Sequence, residues 1–148
     1  MMNDEYDRPV GILLVDDNLS DVRLTQEAFK EGDMPINLHV ALDGFEALAF
    51  LRKEGRYAGV PRPDIILLDL NMPRMNGVQV LKEIKADENL RRIPVIILTT
   101  SKAEEDILKT YDLHANCFIT KSVDMEHFIK VMKYVEDFWF TVVKLPGE

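Results

Sequence analysis

Three short apolar runs constrain this chain more than anything else in it: Ile12 to Val15 (ILLV), Ile65 to Leu68 (IILL) and Val95 to Leu98 (VIIL), each followed at once by polar residues. A half-exposed strand alternates apolar and polar side chains, so an unbroken run of this length reads as a strand covered on both faces. Two weaker strands complete the set. Ile36 to Leu42 (INLHVAL) alternates, with Ile36, Leu38 and Val40 on one side, which suits an edge strand; Asn116 to Thr120 (NCFIT) is the other candidate.

Helix-period segments separate these runs: Asp21 to Lys30, Phe45 to Lys53, Val78 to Lys85, Glu104 to Asp112, and a long one from about Asp124. Ser101 with Glu104 fits a capping box for the fourth. Strand and helix thus alternate five times, which predicts an α/β fold, a doubly wound five-stranded parallel sheet with helices on both faces. Three buried strands and two edges fit the flavodoxin-like order 2-1-3-4-5, reached by right-handed crossovers. Ligands of such sheets bind beyond the carboxyl ends of the strands, where the order reverses, so the ends of strands 1 and 3 are the place to look. The longest loop, Lys53 to Asp64, is marked as irregular by its Gly and Pro residues.

Composition narrows the function classes. The 148 residues make one domain, 1–148, and 47% apolar with 30% charged residues is a globular balance. A net charge of −8 argues against nucleic-acid binding, which needs a basic surface. Cys117 is the single cysteine, so an intrachain disulfide and a thiolate metal cage are both excluded; it reads as a small buried hydrophobe. The N-terminus MMNDEYDRPV is too polar for a signal peptide and no apolar stretch is long enough to span a membrane, which predicts a cytoplasmic protein.

Two adjacent acids, Asp16 and Asp17, follow the first run directly, and Asp69 ends the third strand at the same rim. One reading of the pair is helix capping, with Asn18 or Ser20 as the cap and Asp17 and Asp21 complementing the helix dipole. The other is a cation site. Three carboxylates at one sheet edge cost several kcal/mol unless something positive sits among them, and Mg2+, which prefers oxygen ligands and often takes one or two carboxylates plus a phosphate, is the natural neutraliser. Thr99, Thr100 and Ser101 bring hydroxyls to that rim from the fourth strand, and Lys121 follows the fifth with a positive charge suited to phosphate oxygens.

VDD at Val15 to Asp17, DLNMPRMNG at Asp69 to Gly77, Thr99 and Lys121, in this order and spacing, resemble the receiver domain of bacterial two-component response regulators, the chemotaxis-receiver fold. The resemblance implies a phosphoacceptor at Asp69, Mg2+ held by Asp17, Asp69 and the backbone carbonyl of Asn71 with Asp16 assisting through water, and Thr99 and Lys121 on the phosphoryl oxygens. It further implies a histidine kinase as phosphodonor and Phe118 as the aromatic residue on strand five that turns inward with Thr99. Two positions depart from the family pattern. Phe118 lacks the hydroxyl of the commoner tyrosine, and Ser122 stands where proline usually follows the lysine, at a bond where a non-proline cis peptide would cost about 2.5–4 kcal/mol.

The run EDFWFTVVKLPGE, Glu136 to Glu148, extends the last helix, and together with the long loop before Asp64 it resembles the small receivers that partner bacterial phytochrome kinases. In the last helix Phe128, Val131, Met132, Val135, Phe138, Trp139, Val142 and Val143 share a core-facing stripe, while Ile129 and Phe140 lie on its flank. That flank suits a homodimer through the region of helix 4, strand 5, helix 5 and the C-terminus, with a monomer as the alternative. No DNA-binding domain follows the fifth helix, so output by protein contact is expected, without conventional enzymatic turnover.

A second function class also uses a strand-end aspartate and magnesium: the Mg2+-dependent phosphatases and phosphotransferases of haloacid dehalogenase type. These carry a second acid two positions after the nucleophile; here that position is Asn71, which does no proton work. His39, His114 and His127 show no ligand spacing and read as surface or partly buried imidazoles, Met72 and Met75 as gap fillers, and Gly77 as a turn residue before the third helix.

Overall fold

The computed structural model describes residues 9–31, 35–70, 72, 74–99, 117–120 and 133, with 99 and 117–120 followed through the backbone alone. The elements are β1 (Val10–Val15), α1 (Leu19–Glu31), β2 (Ile36–Ala41), α2 (Gly44–Leu51), a single 3-10 turn (Gly55–Tyr57), β3 (Ile65–Asp69), α3 (Gly77–Ala86), β4 (Val95–Thr99) and β5 (Cys117–Thr120). The expected helices Glu104 to Asp112 and from Asp124, the Ser101 capping box, the stripe and flank of the last helix, the extension 136–148 and the Lys121 to Ser122 bond lie outside the described residues, as do His114 and His127.

The strands form one parallel sheet of order β2-β1-β3-β4-β5, the predicted flavodoxin-like order. Its register is continuous: Val15 sits opposite Ala41 on one side and Leu68 on the other, and Asp69 opposite Leu98. β2 is an edge, as its alternation implied, and is only half buried along most of its length.

The unbroken apolar runs are explained by a core on each face. Leu13, Val15, Ile66, Leu68 and Ile97 pack with Leu48, Phe50 and Leu51 of α2 and Val80, Leu81 and Ile84 of α3. The alternate residues Ile12, Leu14, Ile65, Leu67, Ile96 and Leu98 pack with Val22, Ala28 and Phe29 of α1. Each fully buried Leu or Ile contributes about 1.5–3 kcal/mol over leaving it exposed, so neither face can be uncovered cheaply. Met72 is buried in the first core and Met75 packs against it, as gap fillers should. His39 is partly buried, its ring 5.2 Å from that of Phe50. Among the described residues no helix is long and apolar enough to cross a membrane.

Helix boundaries follow local chemistry. Asn18 caps α1, its Oδ1 accepting the N–H groups of Ser20 at 2.9 Å and Asp21 at 3.2 Å. α2 starts at the N-cap Asp43 and ends before Lys53, whose φ of 55° breaks the helix. Asn76 and Gln79 form a reciprocal capping box for α3, satisfying donors that would otherwise be orphaned.

Gly77 is the first residue of α3 rather than a turn residue, and it is not among those with positive φ. The constraint is space: a Cβ there would lie 2.5 Å from the backbone oxygen of Asp69 and 2.7 Å from Cα of Leu70. Gly77→Ala should therefore cost about 1–3 kcal/mol, read as a lower urea midpoint, because backbone cannot step aside. Gly11→Ala, whose Cβ would meet nothing closer than 3.5 Å, should leave the midpoint unchanged or raise it.

Candidate functional site

The parallel register brings three acids to one point. Asp16 follows the last residue of β1 and continues the ladder, its N–H donating to the Ala41 carbonyl at 3.1 Å. Asp69 is the last residue of β3, and the next N–H, that of Leu70, reaches the Leu98 carbonyl at 3.4 Å. Asp17 lies one residue into the loop and is exposed, whereas Asp16 and Asp69 are 0% and 1% exposed. Carboxylate oxygens of Asp16, Asp17 and Asp69 all lie within 4.8 Å of one another.

Capping and the acid cluster turn out to be compatible because different residues perform them. Asn18 supplies the cap for α1, and its own N–H donates to Oδ1 of Asp16 at 2.9 Å, which turns the chain so that the cap and the buried acid share one tight bend. Asp17 is left at the mouth of the cluster.

Two carboxylates shut away from water with a third at their edge repel one another and forfeit hydration, a cost that a cation among them offsets. The donors of this cluster are all carboxylate oxygens, the set preferred by a hard divalent ion, and one exposed member leaves an entry path. The cluster is fit to hold a divalent cation.

The other predicted site residues divide into those at the same rim and those beyond description. Thr99 ends β4, opposite Thr120, at the carboxyl edge that also carries Asp69. Phe118 lies within β5, opposite Ile97. Asn71 and Lys121 lie outside the described residues.

Three residues around the loop that follows Asp69 had no role in the reading of the sequence: Arg74, Asp43 and Phe45. Arg74 has a φ of 66°, its guanidinium pairs with Oδ2 of Asp43, and its Cζ lies 5.8 Å from the ring centroid of Phe45. The Asp-Gly pair ahead of FEAL was a legible cap signal for α2, but nothing local links position 74 to position 43.

The cluster makes a stability prediction. Asp69→Asn keeps shape while removing one buried charge, so in EDTA the variant should melt at or above the temperature of the parent protein. A lower melting temperature there would contradict carboxylate crowding.

Comparison with known proteins agrees with this geometry. The response regulator receiver domain family matches residues 12–133. Response regulator Rcp1 of Synechocystis sp. is 46% identical over 146 residues, covering 99% of each chain. The phosphorylated cyanobacterial phytochrome response regulator RcpA superposes with a TM-score of 0.83 at 47% identity, covering 93% of this chain and 98% of that one. The Mn(2+)-bound form of Rcp1 does so with a TM-score of 0.81 at 45% identity, covering 92% and 98%.

Proposed function

The chain belongs to the response regulator receiver domain family, and from that membership we propose that it works as a single-domain response regulator, accepting a phosphoryl group on Asp69 from a histidine kinase. The observation that carries this reading is the burial of Asp69 within 4.8 Å of Asp16 and Asp17 at the carboxyl edge of the sheet. The match to Rcp1 over nearly the whole of both chains, and the likeness to a phytochrome response regulator, support a kinase of phytochrome type as the donor.

A carboxylate oxygen of Asp69 attacks the phosphorus of a phosphohistidine in line; the new P–O bond forms as the P–N bond breaks, and the electron pair leaves with the imidazole nitrogen. Mg2+ is the ion proposed for the acid cluster; Asp16, Asp17, Asp69 and the Asn71 carbonyl would hold it, and when bound it would neutralise charge on the phosphoryl oxygens. Thr99 and Lys121 take up the phosphoryl oxygens. Phosphorylation replaces a carboxylate by a larger, more highly charged group with extra acceptor oxygens, which draws in the Thr99 hydroxyl. Phe118 follows, reading the change by packing alone. Output passes to a protein partner or to a second copy of this chain through the region of helix 4, strand 5, helix 5 and the C-terminus, in the cytoplasm and without nucleic acid.

The haloacid dehalogenase reading gains no support: the family match is to receivers, and the position two beyond Asp69 is an amide, Asn71. Turnover of phosphate esters is not part of the proposed function.

Incubation with acetyl phosphate and Mg2+ should leave one acid-stable, hydroxylamine-labile phosphoryl group, and Asp69→Asn should abolish it. Rapid multiple turnover of small phosphate esters would instead favour the enzyme. Mg2+ alone should raise the melting temperature: at ten times its dissociation constant the gain is about 1.4 kcal/mol, roughly 3 to 6 °C, and Asp17→Ala should remove most of it. An equal gain in both proteins would exclude Asp17 as a ligand.

A further inference from the structure

The loop that leaves Asp69 is pinned at both ends. Gly77 N–H donates to the Leu70 carbonyl at 3.0 Å, and Gly77 itself lies hard against the Asp69 and Leu70 backbone. Between these ends Arg74 holds a left-handed φ of 66°, a conformation that a residue with a Cβ keeps only when its surroundings hold it there. What holds it is a neighbouring element. Asp43, whose side chain is 13% exposed, uses both oxygens: Oδ1 accepts the Glu46 N–H at 2.8 Å and caps α2, and Oδ2 accepts from Nη2 of Arg74. The guanidinium also lies 5.8 Å from the Phe45 centroid, within the range where a cation is drawn to an aromatic face. One residue on, the loop lies against the start of α2, where a Cβ on Gly44 would meet the Met75 backbone oxygen at 2.9 Å.

We infer that Arg74 and Asp43 form a positioning clamp for the phosphoacceptor pocket, tying the loop that follows Asp69 to the N-terminus of α2 and so setting the geometry in which the pocket binds its divalent ion. The inference rests on the receiver reading above, in which this loop carries Asn71, a proposed ligand. The Arg74 side chain is 66% exposed, so the pair adds little to global stability. Its effect is local, on the placement of oxygen ligands, where supporting contacts count for much more.

Two variants of the full chain separate the clamp from the fold. Arg74→Gly removes the guanidinium and also relieves the left-handed strain, while Asp43→Asn keeps a capping oxygen for α2 but removes the charge that Arg74 pairs with. Melting in EDTA should stay within about 4 °C of the parent for both. The Mg2+ dissociation constant, read from the Mg2+ dependence of the melting temperature, should rise about 10-fold or more in both, with the double variant no worse than the worse single one. Arg74→Lys, which keeps the charge but loses the planar fork, should recover part of the affinity. Unchanged Mg2+ affinity in the two variants, or melting lowered in EDTA without a change in affinity, overturns the clamp. A parent that shows no response to Mg2+ overturns the receiver reading itself, and the clamp with it.

Discussion

The structure turns on carboxylates placed where the apolar strands stop. Asp16 and Asp69 are as thoroughly buried as the leucines that precede them, yet they carry the group that protein interiors tolerate least. Parallel register makes this unavoidable: β1 and β3 are adjacent, run in the same direction and end at one level, so residues just past Val15 and Leu68 must meet. The tight bend at Asn18 shares this end of β1, its N–H donating to the Asp16 carboxylate, and Asp17 is left exposed beside it.

How legible was this? The strand order and the two-faced core were readable because ILLV, IILL and VIIL contain no polar residue to face water, and the edge character of β2 was readable from its alternation. The acid cluster was readable because strand ends are fixed by where apolar runs stop, and the sheet order then decides which ends are neighbours. Boundaries drifted by a residue or two: α1 begins at Leu19 rather than Asp21, because the cap is Asn18 and not Ser20. The capping box of Asn76 and Gln79 was present in the sequence as NGVQ and passed unread. Gly77 was read through its conformational freedom, whereas what matters is the space a side chain would need, a fact about the strand behind it that spacing alone does not carry. The pair between Arg74 and Asp43 was invisible for a similar reason, being a contact across 31 positions between two loops.

Likeness to known proteins and local physics supply different things. Membership of the receiver family assigns roles to positions, whereas the geometry states why these positions suffer or benefit from them: two acids buried, one exposed, and donors that are oxygen throughout. Asp43 lies outside the motifs on which the resemblance rests and Arg74 stands in one of them without an assigned role; both come forward only from backbone angle and side-chain pairing.

The glycine contacts at Gly44 and Gly77 carry a mechanical consequence. At Gly77 the first turn of α3 touches the main chain of Asp69 and Leu70 with no side chain between them, whereas at Gly44 the first turn of α2 meets the Met75 backbone oxygen together with the side chains of Met75 and Val80. Side chains cushion most helix and sheet contacts, changing rotamer when a neighbour shifts; at Gly77 that compliance is missing. The strand that ends at Asp69 and α3 therefore meet stiffly on one side of the acid cluster. A change of charge and size at Asp69 finds no give in that direction, and the displacement it produces has to be taken up elsewhere in the domain.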